Sequence, residues 1–125
     1  MAKVRRRLRR YGDKAGMAWR YLNYVLQNPR PLAYPERMYL ESTNACNLRC
    51  IMCPIGRQVD EREKGFMDWD LFRAIVDEMA PHVRTTTLHI WGEPLLHPRI
   101  VDMIAYWHDH GLHAEISTNA VLLTP

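Results

Sequence analysis

The chain has 125 residues, of which 47% are hydrophobic and 25% charged, with a formal net charge of +3. This is the composition of a soluble globular domain, or part of one, and it excludes a disordered chain. No apolar run approaches the roughly 20 residues of a membrane-spanning helix, and no apolar segment follows the basic N-terminus as a secretory signal requires.

The charge is unevenly spread. Lys3, Arg5, Arg6, Arg7, Arg9 and Arg10 place six positive charges in the first ten residues. Val4, Leu8 and Tyr11, then Ala18, Leu22, Val25 and Leu26, fall at helical spacing and predict a helix lying against the main body. Contact of this basic arm with a membrane surface or nucleic acid is the lesser reading, because the series is short and mixed. Asn28-Pro29-Arg30-Pro31 ends the helix, since proline lacks the N–H and restricts its predecessor. Residues 1–34 therefore read as a basic helical extension and 35–125 as the core domain.

From Pro35 on, the chain alternates strands and helices. Residues 37–42 alternate Met38 and Leu40 against Tyr39 and Glu41, the pattern of a strand. A cysteine loop and an aperiodic polar stretch, Gly56 to Gly65, follow. Asp68 is placed to cap a helix whose stripe is Leu71, Phe72, Ile75, Val76 and Met79, with Pro81 beyond its end. Residues 85–91, rich in β-branched and aromatic residues, predict a second strand. Pro98 suits the first turn of the next helix and Gly111 its stop, with Ile100, Ile104 and Trp107 on one face. Residues 112–118 predict a third strand, with Leu112, Ala114 and Ile116 on one side.

The fold class is therefore α/β: about three parallel strand–helix units preceded by an N-terminal helical segment. Three strands cannot close a barrel, and Thr124-Pro125 reads as the opening of another helix. The expectation is the N-terminal half of a partial (β/α) barrel, truncated at its C-terminal end.

In such folds ligands gather at the carboxyl ends of the strands. That rule selects Cys46 to Cys53, Gly92 to Pro94 and Ser117 to Ala120. Cys46, Cys50 and Cys53 are all the cysteines of the chain, and their spacing suits a metal in a reducing compartment. Structural zinc normally takes four protein ligands. No fourth Cys or His follows at short range; the nearest later histidine, His82, lies beyond the predicted helix. An iron–sulfur cluster with one open iron fits better, while a zinc site completed from a distance stays the alternative.

Cys46-x-x-x-Cys50-x-x-Cys53 after a first strand resembles the cluster motif of the radical S-adenosylmethionine (radical SAM) enzymes. TNACNLRCIMCP resembles the subgroup of molybdenum-cofactor biosynthesis and SPASM-domain enzymes. Trp91 to Pro94 (WGEP) resembles the family's GGEP motif, and Ser117 to Ala120 (STNA) its T/S-T-N-G segment. Gly65-Phe66-Met67 resembles its Gly-x-Met helix entry.

The resemblance implies a [4Fe-4S] cluster on Cys46, Cys50 and Cys53, with S-adenosylmethionine on the open iron. Reductive cleavage would give a 5′-deoxyadenosyl radical that takes hydrogen from a substrate. It further implies Met52 near the adenine, where the family often has an aromatic residue. Gly92, Glu93 and Pro94 would meet the SAM amino group, with Glu93 either facing the ammonium or bracing the loop. Thr118 and Asn119 would face SAM or substrate. Trp91 replaces the motif's first glycine. The implied partners are a small-molecule or peptide substrate and an electron donor such as flavodoxin or ferredoxin, in the cytoplasm. These residues alone are expected to be weakly active or inactive.

Two other classes compete. A non-catalytic iron–sulfur or zinc module would need only the cysteine loop, and an RNA-binding protein only the arginine arm. Neither accounts for motifs on three successive strand ends. His89, in the second strand, reads as a hydrogen-bonded core residue rather than an inward-facing functional one. His97, His108, His110 and His113 read as surface or cap residues, Trp69 and Trp107 as packing anchors, and Asp60 to Lys64 as a solvated run.

Overall fold

A computed structural model describes residues 2–30 and 33–124, with side chains from Lys14 onward. It contains two compact units, residues 1–35 and 36–125. The first is α1, Ala2–Val25. The helix stops before the prolines are reached. Gln27 turns left-handed (φ 47°), and the amides of Gln27 and Asn28 donate back to the carbonyls of Tyr24 and Asn23. These paired bonds satisfy carbonyls that a helix end leaves open.

The second unit holds β1 (Arg37–Tyr39), α2 (Trp69–Met79), β2 (Thr85–Thr87), α3 (Ile100–Asp109) and β3 (His113–Glu115). The strands form one parallel sheet in the order β1-β2-β3. Met38, Thr86 and Ala114 stand level across it, as do Tyr39, Thr87 and Glu115. The core gathers Leu40, Phe72, Val76, Val83, Leu88, Met103, Trp107 and Leu112, so α2 and α3 share one face of the sheet. The opposite face is polar: Arg37 and Glu115 pair across it at 2.9 Å, and Tyr39 is exposed.

The ladder is shorter than the sequence predicts. After Leu40, whose amide still reaches Thr87 O, backbone groups bond between loops rather than along strands. Met67 N donates to Ser42 O and Glu93 N to Ala45 O, each at 2.8 Å. Such cross-loop bonds satisfy the backbone as a ladder would, but end the sheet.

Asp68 caps α2 as its position predicts: its Oδ1 accepts from the amides of Asp70 and Leu71, both at 2.9 Å. Asp68→Ala is expected to cost about 1 kcal/mol, read as a lower urea midpoint at constant m-value. Leu71 is not part of the buried stripe. It is 53% exposed, and the face that meets the core is Phe72, Ile75, Val76 and Met79. Trp69 stacks on Phe72 and carries the Arg99 guanidinium 3.7 Å above its ring.

Pro98 does not open α3. Pro94–Leu96 forms a 3-10 turn, and α3 begins at Ile100 after Arg99. The reason is His97. Its Nδ1 accepts the Arg99 amide at 3.0 Å and fixes where the helix starts. Of the two readings, surface or cap, His97 is therefore a cap; it is 4% exposed, and with Nδ1 accepting, its Nε2 donates to Met67 O at 3.0 Å. Gly111 ends α3 at φ 73°, with its amide and that of Leu112 donating to the carbonyls of His108 and Trp107. Among the described residues, no helix is long and apolar enough to cross a membrane.

Candidate functional site

The three loops selected by the strand-end rule meet. The contact between the first two is backbone to backbone. Glu93 N–H donates to Ala45 O at 2.8 Å. Gly92 lies so close to the first loop that an added Cβ would run into the Thr43 carbonyl oxygen and stand 2.9 Å from Ala45 O. Only glycine permits that approach.

The second and third loops meet through Glu93. Its carboxylate is buried, 3% exposed. Oε1 accepts from the Thr118 hydroxyl at 2.6 Å and from Leu95 N at 3.0 Å, and Oε2 accepts from Asn119 N at 2.8 Å. Burial by itself pushes the carboxyl up, but the Thr118 hydroxyl and the Asn119 and Leu95 amides outweigh it and hold the pKa below its ordinary value. Glu93 thus braces the loops rather than presenting a free anion. Pro94 is buried at the start of its 3-10 turn.

Asn119 closes the ring from the third loop to the first. Its Nδ2 donates to Asn47 Oδ1 at 2.7 Å and lies 4.0 Å from Cys46 Sγ. Cys53 Sγ lies 3.9 Å from Trp91 O. The structure therefore brings together Cys46, Cys53, Gly92, Glu93, Thr118 and Asn119. Cys50 and Met52 stand exposed on the same loop, Met52 at 85%. His89 Nδ1 accepts the Ser117 amide at 3.0 Å, so this histidine is hydrogen-bonded as expected, but it lies beyond β2 and is half-buried rather than in the core.

Three supports escaped the sequence reading. Asn44 is buried and grips the returning chain: Nδ2 donates to Glu63 O at 2.9 Å, and Oδ1 accepts Gly65 N at 2.8 Å. Thr43 Oγ1 donates to Gly65 O at 2.7 Å, and Thr43 bridges to Phe66. The Thr-Asn before the cysteines and the Gly-x-Met after them form one unit. Gly56 packs on the Cys50 backbone, where a Cβ would collide with it. Asn-x-x-x and Gly-x-Met are visible in the sequence; their contact is not.

The donor set suits an iron–sulfur cluster. All three thiols are free, on one short loop. Among the described residues, no three His, Cys, Asp or Glu groups converge as a single metal ion would require. A four-iron cluster binds each thiolate on a different iron, so its ligands stand farther apart than those of one ion. Three free thiols on one short loop, each available to a different iron, fit the larger group.

A parallel sheet with a three-thiol loop and two further loops converging at its strand ends defines an α/β protein with a candidate cluster site. Residues 40–125 match the radical SAM superfamily, and the chain belongs to that superfamily. Over 89 residues it is 45% identical to a tungsten-containing aldehyde ferredoxin oxidoreductase cofactor-modifying protein of Pyrococcus furiosus, matching 70% of this chain and 24% of that one. Over 91 residues it is 32% identical to an AdoMet-dependent heme synthase of Methanosarcina barkeri, matching 73% and 26%. The chain thus spans about a quarter of the length of these relatives. The crystal structure of BtrN with AdoMet and 2-DOIA superposes with a TM-score of 0.63 at 26% identity, over 71% of this chain and 37% of BtrN. The fold is accordingly a partial radical SAM (β/α) fold, and the superfamily uses a [4Fe-4S] cluster and SAM.

Proposed function

We propose that this chain carries the cluster- and SAM-binding part of a radical SAM enzyme. The observation that carries the reading is the closed ring of contacts from Cys46 through Asn119, Glu93 and Ala45 back to the cysteine loop. When bound, the cluster and SAM supply one-electron cleavage chemistry that removes a hydrogen atom from a substrate. Cys46, Cys50 and Cys53 would hold the cluster. The Gly92–Pro94 backbone, with Asn119, would receive the amino-acid end of SAM, and Thr118 acts by holding Glu93. Met52 lies on the exposed side of the loop, where a thioether packs on an aromatic base.

The substrate belongs to the same proposal as a small molecule or peptide, with flavodoxin or ferredoxin as electron donor. Three free thiols favour a reducing, cytoplasmic setting. Kinship with the molybdenum-cofactor and SPASM-like subgroup rests on the TNACNLRCIMCP loop.

Anaerobic treatment with iron and sulfide is expected to give a reducible cluster signal that SAM perturbs, and Cys50→Ala is expected to abolish it. One tightly bound zinc per chain, with no iron signal, would instead support a non-catalytic metal module.

A further inference from the structure

Beside the ring of loop contacts lies a second network, which meets the family motifs only at the Trp91 amide. Glu41 follows β1, and its carboxylate bridges two loops. Oε1 accepts the Trp91 amide at 3.2 Å, and Oε2 accepts Arg62 Nη1 at 2.6 Å. Arg62 sits on the chain returning from the cysteines and forks onto Asp60, Nε to Oδ1 at 2.9 Å and Nη2 to Oδ2 at 3.1 Å. Lys64 adds a contact to Asp60 at 3.1 Å. Glu41 and Asp60 are largely covered, with side chains 14% and 9% exposed. An open cleft of about 380 Å³ lies against this network, lined also by Pro54, Val59, Ile90 and Trp91.

The magnitudes argue against a role in bulk stability. Ion pairs with an exposed member contribute little, and Arg62 is 54% exposed. A forked guanidinium contributes direction more than energy. Here the direction is specific. Glu41 holds the backbone of Trp91, whose carbonyl faces Cys53 Sγ at 3.9 Å. Arg62 holds the segment that leaves Cys53. Hydrogen bonding holds Asp60 well below the usual carboxylate range and Arg62 above its own, so the fork persists across ordinary pH.

We propose that Glu41 and Arg62 are positioning residues for the cysteine loop, clamping Trp91 and the chain after Cys53 to each other. The clamp is a property of this chain with or without metal; its effect on a cluster rests on the function proposed above.

Two measurements test it. In the metal-free chain, hydrogen exchange is followed at Trp91 and residues 54–64 in wild type, Glu41→Ala, Glu41→Gln and Arg62→Lys. Losing a hydrogen bond to a charged acceptor is expected to speed Trp91 exchange in Glu41→Ala by about tenfold. Glu41→Gln, which keeps an oxygen acceptor, is expected to fall between, and β1–β3 exchange to stay unchanged. Arg62→Lys is expected to release residues 54–64 while leaving Trp91 protected. Wild-type exchange at Trp91 in Glu41→Ala would overturn the clamp, as would equal speeding throughout the sheet. After loading with iron and sulfide, Glu41→Gln and Arg62→Lys are expected to lose iron to a chelator several-fold faster than wild type, with an altered SAM-induced change in the cluster's EPR spectrum. Wild-type iron loss and spectra in both would overturn the positioning role. A wild-type chain that takes up no iron would sink the cluster reading, and the exchange experiment would still decide the clamp.

Discussion

Glu93→Ala is expected to destabilise the fold by about 3 kcal/mol or more, because it strands three partly buried donors at once. The Thr118 hydroxyl and the amides of Asn119 and Leu95 all lose their acceptor. Urea denaturation followed by circular dichroism measures the loss. The same carboxylate predicts a pH dependence with a definite sign. Its pKa is held below the ordinary 4.5 in the folded chain. The ionised form therefore stabilises the fold, fully above about pH 4.5, and that contribution fades as pH falls through the lower, folded value. Glu93→Gln is expected to lack this part of the acid decline, so its stability curve runs flatter than wild type below that pH. Superimposable acid slopes in the two proteins would show that Glu93 is not the brace described.

Gly92→Ala is the second large effect. The added Cβ would meet the Thr43 carbonyl carbon at 2.7 Å and Ala45 O at 2.9 Å, with the Thr43 oxygen closer still. These are backbone atoms, so no rotamer change relieves them, and the first two loops must part. A loss of about 3 kcal/mol, the upper end for overpacking, is expected, together with loss of the SAM-induced change in the cluster signal. Gly65 is the control, since a Cβ there meets nothing within 4 Å. Gly65→Ala is expected to leave both stability and signal near wild type. Equal behaviour of the two alanine variants would contradict the close approach.

The order of strands and helices was legible because each depends on neighbours in sequence. Asp68 announces α2 by its place before an apolar stripe, and Gly111 announces the end of α3 because a left-handed residue is needed there. For the same reason the strand-end rule picked out three loops that meet: it needs only element order. Other features depend on partners distant in sequence. His97 looks like any loop histidine until Met67 O, thirty residues away, takes its Nε2–H. Glu41 looks like an exposed strand residue until Trp91 N, fifty residues on, meets it. Strand length failed similarly: in the second strand apolar alternation continues past Leu88 to Ile90, but beyond Leu40 and Leu88 the backbone bonds across loops. Leu71 failed for a simpler reason, since apolar character alone does not decide which side of a helix it occupies.

One consequence follows from the backbone seam between Thr43–Ala45 and Gly92–Glu93. No side chain between the cysteines takes part in it, and Leu48, Ile51 and Met52 are 38%, 85% and 85% exposed. Leu48, Ile51 and Met52 are therefore exchangeable positions: they can be rewritten, to change what the loop presents at its surface, while Asn47 and the backbone seam keep its anchoring in register.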